Sequence, residues 1–413
     1  MSDSGWKAYL QRLLDASYGE RLLISLAALA MAVVVGGVVV FLAGWPASCA
    51  QGLEIAGQTF CYNPVYVYMQ FFLGSVGLTG GGWSPTNIAM GLLLRQTVLL
   101  MFTGLSVAVA FRAGMFNIGT QGQLVLGALA TPLTVIAVAP YAPSGIVGTL
   151  ILVPVGLFAG AVAGGIWGAI PGALKAYADA NEVITTIMLN FVALSLATTL
   201  VKIWFQDPGA SGLTATKSVP ENAMIPTVLF DSNDGVSLLA LGLAVALAVG
   251  VTLVLTRTSF GFDLRVSGVQ PDAATYGGVD AEKTMVSSMA ISGALGGIGG
   301  AIYVLMLQGR WASAIPSLGF DGITVSILAG NNPLGVGLSA LLFGVFKSGS
   351  AAIESSTDVP SDLLGVLTGL IILFVAMPEF FRMLGRRFVT LDDDDRAVAT
   401  DGGTATSGGE SDE

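Results

Sequence analysis

FRAGMFNIGTQGQ, residues 111–123, is a polar, glycine-rich break between two long apolar runs. A bilayer core offers no water to freed backbone groups. Irregular backbone at membrane depth is therefore tolerated only inside a protein bundle or beside a water-filled path. This break carries the amide side chains of Asn117, Gln121 and Gln123. It therefore predicts the place where something polar crosses the membrane.

The composition is that of a polytopic membrane protein. Of the 413 residues, 54% are hydrophobic and 11% charged, against about 25% charged in an average soluble domain. At about 20 residues per crossing, the apolar runs predict an all-α integral membrane fold of about ten transmembrane helices. A 5+5 inverted repeat with broken helices is a further hypothesis. The runs lie near 22–42, 88–110, 120–139, 146–172, 183–205, 236–256, 284–307, 316–330, 334–352 and 361–381.

The positive charges orient these runs. Ten crossings place both termini, Lys175 and the connection 257–283 in the cytoplasm, which agrees with the bias of Lys and Arg toward that side. The predicted organisation is a cytoplasmic segment (1–20), a transmembrane domain (21–388) and a disordered acidic tail (389–413). The short run at 316–330 is also compatible with a half-helix.

Charge and composition exclude several functions. The net charge of −10 is concentrated in residues 391–413, which hold eight acidic residues against one arginine. With no basic patch, nucleic-acid binding is not expected. The chain has no histidine and two cysteines, so neither a metal site nor a cofactor is expected. Cys49 and Cys61 fall in the first outer loop, where a disulfide and two free thiols both stay open.

Glycine recurs every fourth residue along one predicted span, which indicates a groove that admits a neighbouring backbone closely. Close packing is the favoured interpretation, with gating as the alternative. The positions are Gly156, Gly160, Gly164, Gly168 and Gly172, and a similar spacing returns at Gly293, Gly297 and at Gly296, Gly300.

Two further segments stand out, ANEVITTIMLN (180–190) and FDLRVSGVQPDAATYGG (262–278). The second predicts a short helix with both ends marked. Pro271 suits its first position, Asp272 suits its positive end, and Gly277-Gly278 stops it. Val269, Ala273 and Tyr276 are predicted to share one face. A short helix in the main cytoplasmic loop suits docking against a soluble partner.

The three segments together resemble the membrane permeases of ABC importers, in the branch that contains ribose, branched-chain amino acid and nucleoside permeases. They look most like its nucleoside or simple-sugar subgroup. The resemblance implies a multi-pass subunit of the cell membrane. It also implies three protein partners: a cytoplasmic ABC ATPase, an extracellular solute-binding protein and a second permease subunit, for which a different chain is favoured.

The same resemblance assigns roles to residues. It implies that Val269–Gly278, in the loop 257–283, is a coupling helix that sits in a cleft of the ATPase. The residues expected to make this contact are Val269, Pro271, Asp272, Ala273, Tyr276 and Gly277.

The translocation path is expected to be lined partly by the 111–123 break. Each candidate also has a structural interpretation: amides that close the break, aromatic rings that pack, a polar pair that caps a helix, and an aspartate that stabilises a helix start. The candidates for the path are Phe111, Phe116, Asn117, Gln121, Gln123, Asn181, Glu182 and Asp321.

The predicted function is the ATP-driven import of a nucleoside or a simple sugar. No lysine follows a glycine in the chain, so a GxxxxGK[ST] phosphate-binding loop is absent. ATP hydrolysis is therefore expected on a separate subunit, and this chain is not expected to be an enzyme. The rival hypothesis is an ion-coupled secondary transporter, which would need a deep carboxylate. Glu182 and Asp321 are the candidates for it, and both are predicted near membrane surfaces.

Overall fold

The computed structural model describes residues 18–45, 53–55, 58–79, 83–210, 212–230, 234–360 and 362–373. The first 17 residues, Cys49 and the acidic tail 389–413 lie outside the described residues. The predicted division into a cytoplasmic segment, a transmembrane domain and a tail therefore stays a prediction.

Within these ranges the chain is built from helices and one small hairpin. Strands β1 (Leu53–Ile55) and β2 (Gln58–Phe60) pair antiparallel, with Leu53 opposite Phe60. The helices are α1 (Tyr18–Ala43), α2 (Pro64–Phe72), α3 (Ile88–Arg112), α4 (Thr120–Val138), α5 (Ile146–Ala178), α6 (Glu182–Leu200), α7 (Leu238–Arg257), α8 (Ser259–Val269), α9 (Pro271–Tyr276), α10 (Ala281–Ile302), α11 (Leu318–Leu328), α12 (Pro333–Ser356) and α13 (Asp362–Leu373).

Seven of the described helices are long and apolar enough to cross a membrane: α3, α4, α5, α6, α7, α10 and α12. Two of them continue into π-helical turns, α6 through Val201–Phe205 and α10 through Tyr303–Gln308. Three shorter apolar helices, at Ala30–Ala43, Leu318–Leu328 and Asp362–Leu373, fall on the remaining predicted runs. The predicted all-α integral membrane class is confirmed, and the inverted repeat stays a prediction.

The run at 316–330 does not cross the membrane as a full helix. Helix α11 has 11 residues, and at 1.5 Å per residue it is about 16 Å long against a hydrocarbon core of about 30 Å. It is followed by a turn in which Gly330 and Asn331 have φ of 60° and 55°. The half-helix interpretation is therefore the correct one.

The described residues form two compact units, one within residues 18–68 and 357–373 and one within residues 69–356. In the first unit, the ring of Phe41 in α1 stacks on Phe60 of the hairpin at 4.1 Å. Tyr68 Oη donates a hydrogen bond of 2.8 Å to the carbonyl of Val33, which ties α2 to α1. Cys61 of this unit is disulfide-bonded.

In the second unit, α5 packs against α10 along the glycine repeat. All five glycines from Gly156 to Gly172 are buried. A methyl group added at Gly164 would lie 2.7 Å from the Cα of Gly297, and one at Gly160 would lie 2.8 Å from the Cβ of Ala301. Carbon atoms overlap at these distances, so only glycine allows this approach. The predicted close packing is confirmed.

Candidate functional site

The polar break runs from the end of α3 into the helix bundle. Helix α3 ends at Arg112 and α4 begins at Thr120, so the non-helical part is residues 113–119. The hydroxyl of Thr120 lies 3.2 Å from that of Ser106. Ser106 precedes Arg112 by six residues, or about 9 Å of helix. Helix α4 therefore starts well inside the bundle instead of at the membrane surface.

Asn117 closes this break from within. It is fully buried, and its Nδ2 donates to Gln123 Oε1 at 2.9 Å and to Ser292 Oγ at 2.7 Å. Its Oδ1 accepts from Gln123 Nε2 at 3.1 Å and from the Gly119 amide at 3.0 Å. An asparagine side chain has two donor hydrogens and two acceptor lone pairs. All four are used inside the protein.

Asn190 of α6 fixes the other side of the break. Its Oδ1 accepts from the amide of Gly122 at 2.8 Å, and its Nδ2 donates to the carbonyl of Ile118 at 3.0 Å. These bonds satisfy backbone groups that the break leaves without helical partners. Sequence reasoning missed the roles of Asn190 and Ser292. The only available signal was a lone amide at the end of the apolar segment 180–190.

Gln121 joins the start of α4 to the start of the half-helix α11. Its Nε2 donates to the carbonyl of Pro316 at 3.0 Å, and its Oε1 accepts from the amide of Gly319 at 2.8 Å. The two helices thus begin side by side inside the bundle. Gln121 is partly exposed, unlike Asn117 and Gln123.

The two candidate aromatic residues pack on each other. The rings of Phe111 and Phe116 meet edge to face with centroids 5.0 Å apart, an arrangement typical of aromatic packing. Phe116 is 52% exposed. At the same end, Arg112 Nε donates to the carbonyl of Asn331 at 2.8 Å, so the end of α3 is joined to the turn after α11.

Asn181 and Glu182 lie at the start of α6. Asn181 caps this helix, its Oδ1 accepting from the amides of Val183 at 3.0 Å and Ile184 at 3.1 Å. Glu182 lies 3.9 Å from Lys175 Nζ, and Lys175 pairs more closely with Asp179, at 3.0 Å. The geometry favours the capping interpretation of Asn181. The role of Glu182 in the path stays a prediction.

Asp321 forms an ion pair between α11 and α12. Its Oδ2 lies 2.8 Å from Lys347 Nζ, and the two side chains are 25% and 37% exposed. The oxygen is outside hydrogen-bonding alignment, so the contact is an ion pair by distance alone. Asp321 thus lies next to the half-helix start that Gln121 holds. The pairing with Lys347 was not predicted from the sequence.

The predicted coupling helix is shorter than expected. Helix α9 runs from Pro271 to Tyr276, while Val269 ends α8. The residue before a proline is driven to extended backbone, and Gln270 has φ −152° and ψ 92°. The prediction that Val269–Gly278 forms one helix is therefore wrong. The predicted start at Pro271 and the stop at Gly277-Gly278 are confirmed.

The side chains around α9 are strongly exposed, including apolar ones. Tyr276 is 95% exposed and Val269 82%, and Pro271, Asp272, Ala273 and Gly277 are also exposed. Ala274 is the buried residue of α9. A groove of about 340 Å³ along α8 is lined by Phe262, Arg265, Val266, Val269 and Gln270.

Asp280 follows the α8–α9 segment (residues 259–276) and caps α10. Its Oδ1 accepts from the amide of Lys283 at 3.0 Å, and its Oδ2 pairs with Lys283 Nζ at 2.7 Å. The hydrogen bond from the Lys283 side chain lowers the pKa of the Asp280 carboxyl. Because protonation would break this bond, the cap persists at neutral pH and is lost only as the pH falls through this lowered pKa.

The α8–α9 segment contacts the polar break directly. Gly268 of α8 faces Gly114 of the break, and a methyl group added at Gly268 would lie 2.7 Å from the Gly114 nitrogen. The same region buries an apolar cluster that joins α3, the break, α7, α8 and α10. Its members are Ala110, Ala113, Met115, Leu255, Leu264 and Met289.

Comparison with known proteins gives a consistent result. Residues 89–376 match the family described as "Branched-chain amino acid transport system / permease component". No solved structure matches the chain.

Among similar proteins, the nucleoside ABC transporter permease protein NupB of Lactococcus lactis subsp. cremoris is 34% identical over 77% of this chain and 85% of its own length. The guanosine ABC transporter permease protein NupP of Bacillus subtilis is 35% identical over 71% and 83%. The glucose ABC transporter permease protein TsgB13 of Haloferax volcanii is 33% identical over 75% and 82%. The chain therefore belongs to the branched-chain amino acid transport system permease family, as a multi-pass protein of the cell membrane.

Proposed function

We propose that this chain is a permease subunit of an ABC importer that carries a nucleoside into the cell. The observation that carries the proposal is its similarity to permeases named for nucleoside and guanosine transport, at 34% and 35% identity over most of both chains. The break, which runs into the bundle, supports a transport role, because interrupted helices in a membrane bundle are found where a protein lines a solute path.

A simple sugar is the second candidate substrate. The similar permease of Haloferax volcanii is named for glucose and is 33% identical, which is close to the identity of the nucleoside permeases. Ribonucleosides and sugars both present ring hydroxyl groups, so a path with polar side chains suits either one. Selection between them would fall largely on a separate extracellular solute-binding protein.

The exposed α8–α9 segment supports docking of a cytoplasmic ABC ATPase. Aromatic residues are enriched at protein interfaces, and the Tyr276 ring and the neighbouring Val269 are almost fully exposed. Tyr276 ends α9, Val269 precedes it by two residues, and the groove that Val269 lines along α8 offers a recess for a partner side chain. A second permease subunit would complete the path.

The rival mechanism of ion coupling has less support. It would need a carboxylate inside the bundle that is free to bind an ion. Asp321 is already paired with Lys347 at 2.8 Å, and Glu182 lies one residue after the cap of α6. Neither arrangement resembles an empty cation site.

The proposal is tested by uptake into proteoliposomes. The chain is reconstituted with its candidate ATPase, second permease and solute-binding protein, and uptake of radiolabelled guanosine and glucose is measured with and without ATP. ATP-dependent guanosine uptake is expected. Uptake by the permeases alone, driven by an ion gradient, would contradict the proposal, and ATP-dependent uptake of glucose but not guanosine would replace the substrate.

A matched pair of tyrosines tests the docking surface. Tyr276→Ala removes a ring that is 95% exposed on α9, while Tyr141→Ala removes one that is 88% exposed beyond α4. We expect Tyr276→Ala to weaken ATPase binding by about 2 kcal/mol, or about thirtyfold, the size of an interface hot spot. Tyr141→Ala should leave binding unchanged. Equal binding of both variants would refute the docking assignment.

A further inference from the structure

We propose that the Asp321–Lys347 ion pair lines the translocation path and binds the ring hydroxyl groups of the solute. This inference rests on the proposed import function and extends it to a named site. Lys347 was not a candidate in the sequence analysis.

The pair lies deep in the membrane. Lys347 is 14 residues beyond Pro333, about 21 Å along α12, and nine residues before Ser356, about 14 Å from the other end. Asp321 lies in the first turn of the half-helix α11, which starts inside the bundle. Lys347 is therefore too far from either end of α12 for its charge to reach the headgroups. The end of α11 that carries Asp321 lies inside the bundle.

The pair is also open on one side. Its side chains keep 25% and 37% of their surface exposed, so this face meets something outside the described chain. A charge at the middle of the bilayer costs about 2.5–3.5 kcal/mol on insertion scales, and such residues face a bundle interior or a water-filled cavity. Lipid is therefore excluded as the neighbour of this face.

The surroundings suit a polar solute. Helices α4 and α11 both begin near Asp321 and are held together by Gln121, which bonds to Pro316 and Gly319. A carboxylate accepts hydrogen bonds from hydroxyl groups and an ammonium donates to hydroxyl oxygens. An Asp–Lys pair can thus bind a neutral ring that carries adjacent hydroxyls, either ribose or a hexose, without a change in net charge.

The first test measures water access and needs neither ATPase nor solute. Lys347→Cys is compared with Phe158→Cys, because Phe158 is 71% exposed on α5 and lies about 18 Å from its start, at similar depth. A charged, membrane-impermeant methanethiosulfonate reagent should label Lys347→Cys at least about tenfold faster, because it cannot enter hydrocarbon. Equal rates would overturn the proposal. The unsubstituted chain serves as the blank.

The second test separates a solute site from a structural ion pair. The double variant Asp321→Asn/Lys347→Met removes both charges together, and a buried or half-buried pair can usually be neutralised in this way without loss of stability. We expect an unchanged thermal midpoint in detergent and uptake reduced at least about tenfold, chiefly through a raised KM. Parental uptake by the folded double variant would overturn the proposal.

Solute protection identifies the ring. Guanosine that slows labelling of Lys347→Cys where glucose does not would identify a ribonucleoside, and the reverse would identify a hexose. Because Lys347→Cys itself weakens the site, protection is measured at solute concentrations above the raised KM. Protection by neither solute there, in a complex that transports one of them, would overturn the site. If the complex transports neither, the proposed function fails, while the labelling contrast still decides whether the pair faces water.

Discussion

At the scale of single residues, Asn117 shows how a membrane protein tolerates a break in its helices. The side chain uses every donor and acceptor it has on Gln123, Ser292 and Gly119. Unsatisfied polar groups are costly in an environment without water. The asparagine therefore stabilises the start of α4, and its amide can reach a solute only by giving up internal bonds.

Replacing Asn117 should destabilise the fold more than it alters solute affinity. Asn117→Leu leaves the Gln123 amide without a partner, which we expect to cost about 1–3 kcal/mol. The measurement is the thermal midpoint of the purified chain in detergent. In the double variant Asn117→Leu/Gln123→Leu the loss should be smaller than the sum of the two single losses, because the paired amides disappear together.

The control for this prediction is Asn222→Leu, since the Asn222 amide reaches only the carbonyl of Pro143 at 3.5 Å. A stable Asn117→Leu variant with a changed substrate KM would reverse the assignment. It would make Asn117 a contact for the solute.

The sequence located these polar residues but not their partners. Asn117, Gln121 and Gln123 were visible because amides in an apolar region are costly, and the structure places them together at the break. Ser292 is 175 residues away from Asn117, and small serines are common in membrane helices. Pairing over that separation depends on how α3, α4 and α10 pack, which no local pattern records.

At the scale of elements, the repeat of glycines determines how closely α5 approaches α10. We expect Gly164→Ala to destabilise the chain by about 1–3 kcal/mol, because the added methyl group forces the two backbones apart. Gly242→Ala in α7 is the matched control, since no atom lies within 4 Å of its added methyl group. Equal thermal midpoints for the two variants would contradict the packing.

The contact of Gly268 with Gly114 predicts an effect on coupling. Gly268→Ala should leave ATPase binding through α9 intact, since the substitution lies on the membrane side of α8. It should lower the number of solute molecules transported per ATP hydrolysed by about two- to thirtyfold. This change corresponds to a loss of about 0.5–2 kcal/mol of coupling free energy. Gly250→Ala in α7 is the control, because no atom lies within 4 Å of its added methyl group. This variant should keep the parental ratio. An unchanged ratio for Gly268→Ala would exclude this contact from coupling.

Element ends were more predictable than element contacts. Pro271 and Gly277-Gly278 act on their own backbone, so the limits of α9 follow from local chemistry. The error at Val269 has the same local origin: the helix was extended backward across a residue that precedes a proline. The half-helix α11 was one of two interpretations of a short apolar run, and only its length of 11 residues in the structure decided between them.

At the scale of the whole molecule, the arrangement predicts opposite faces for two exposed residues. Leu213 lies in the loop before α7 and Tyr276 follows α7 and α8, so one crossing separates them. We expect Leu213→Cys to react with an impermeant thiol reagent in intact cells, and Tyr276→Cys to react only in inverted vesicles. Reaction of Tyr276→Cys from outside would reverse the orientation and remove the basis for ATPase docking.

The close packing of α5 against α10 also restricts how the two helices can move. Tightly packed interfaces switch between discrete states and do not deform gradually. Two helices in contact at several glycines can therefore move apart only by losing all of these contacts together. Spin labels on these two helices should therefore report one constant distance throughout the transport cycle. That distance would serve as a constant reference for measuring the movements of the other segments.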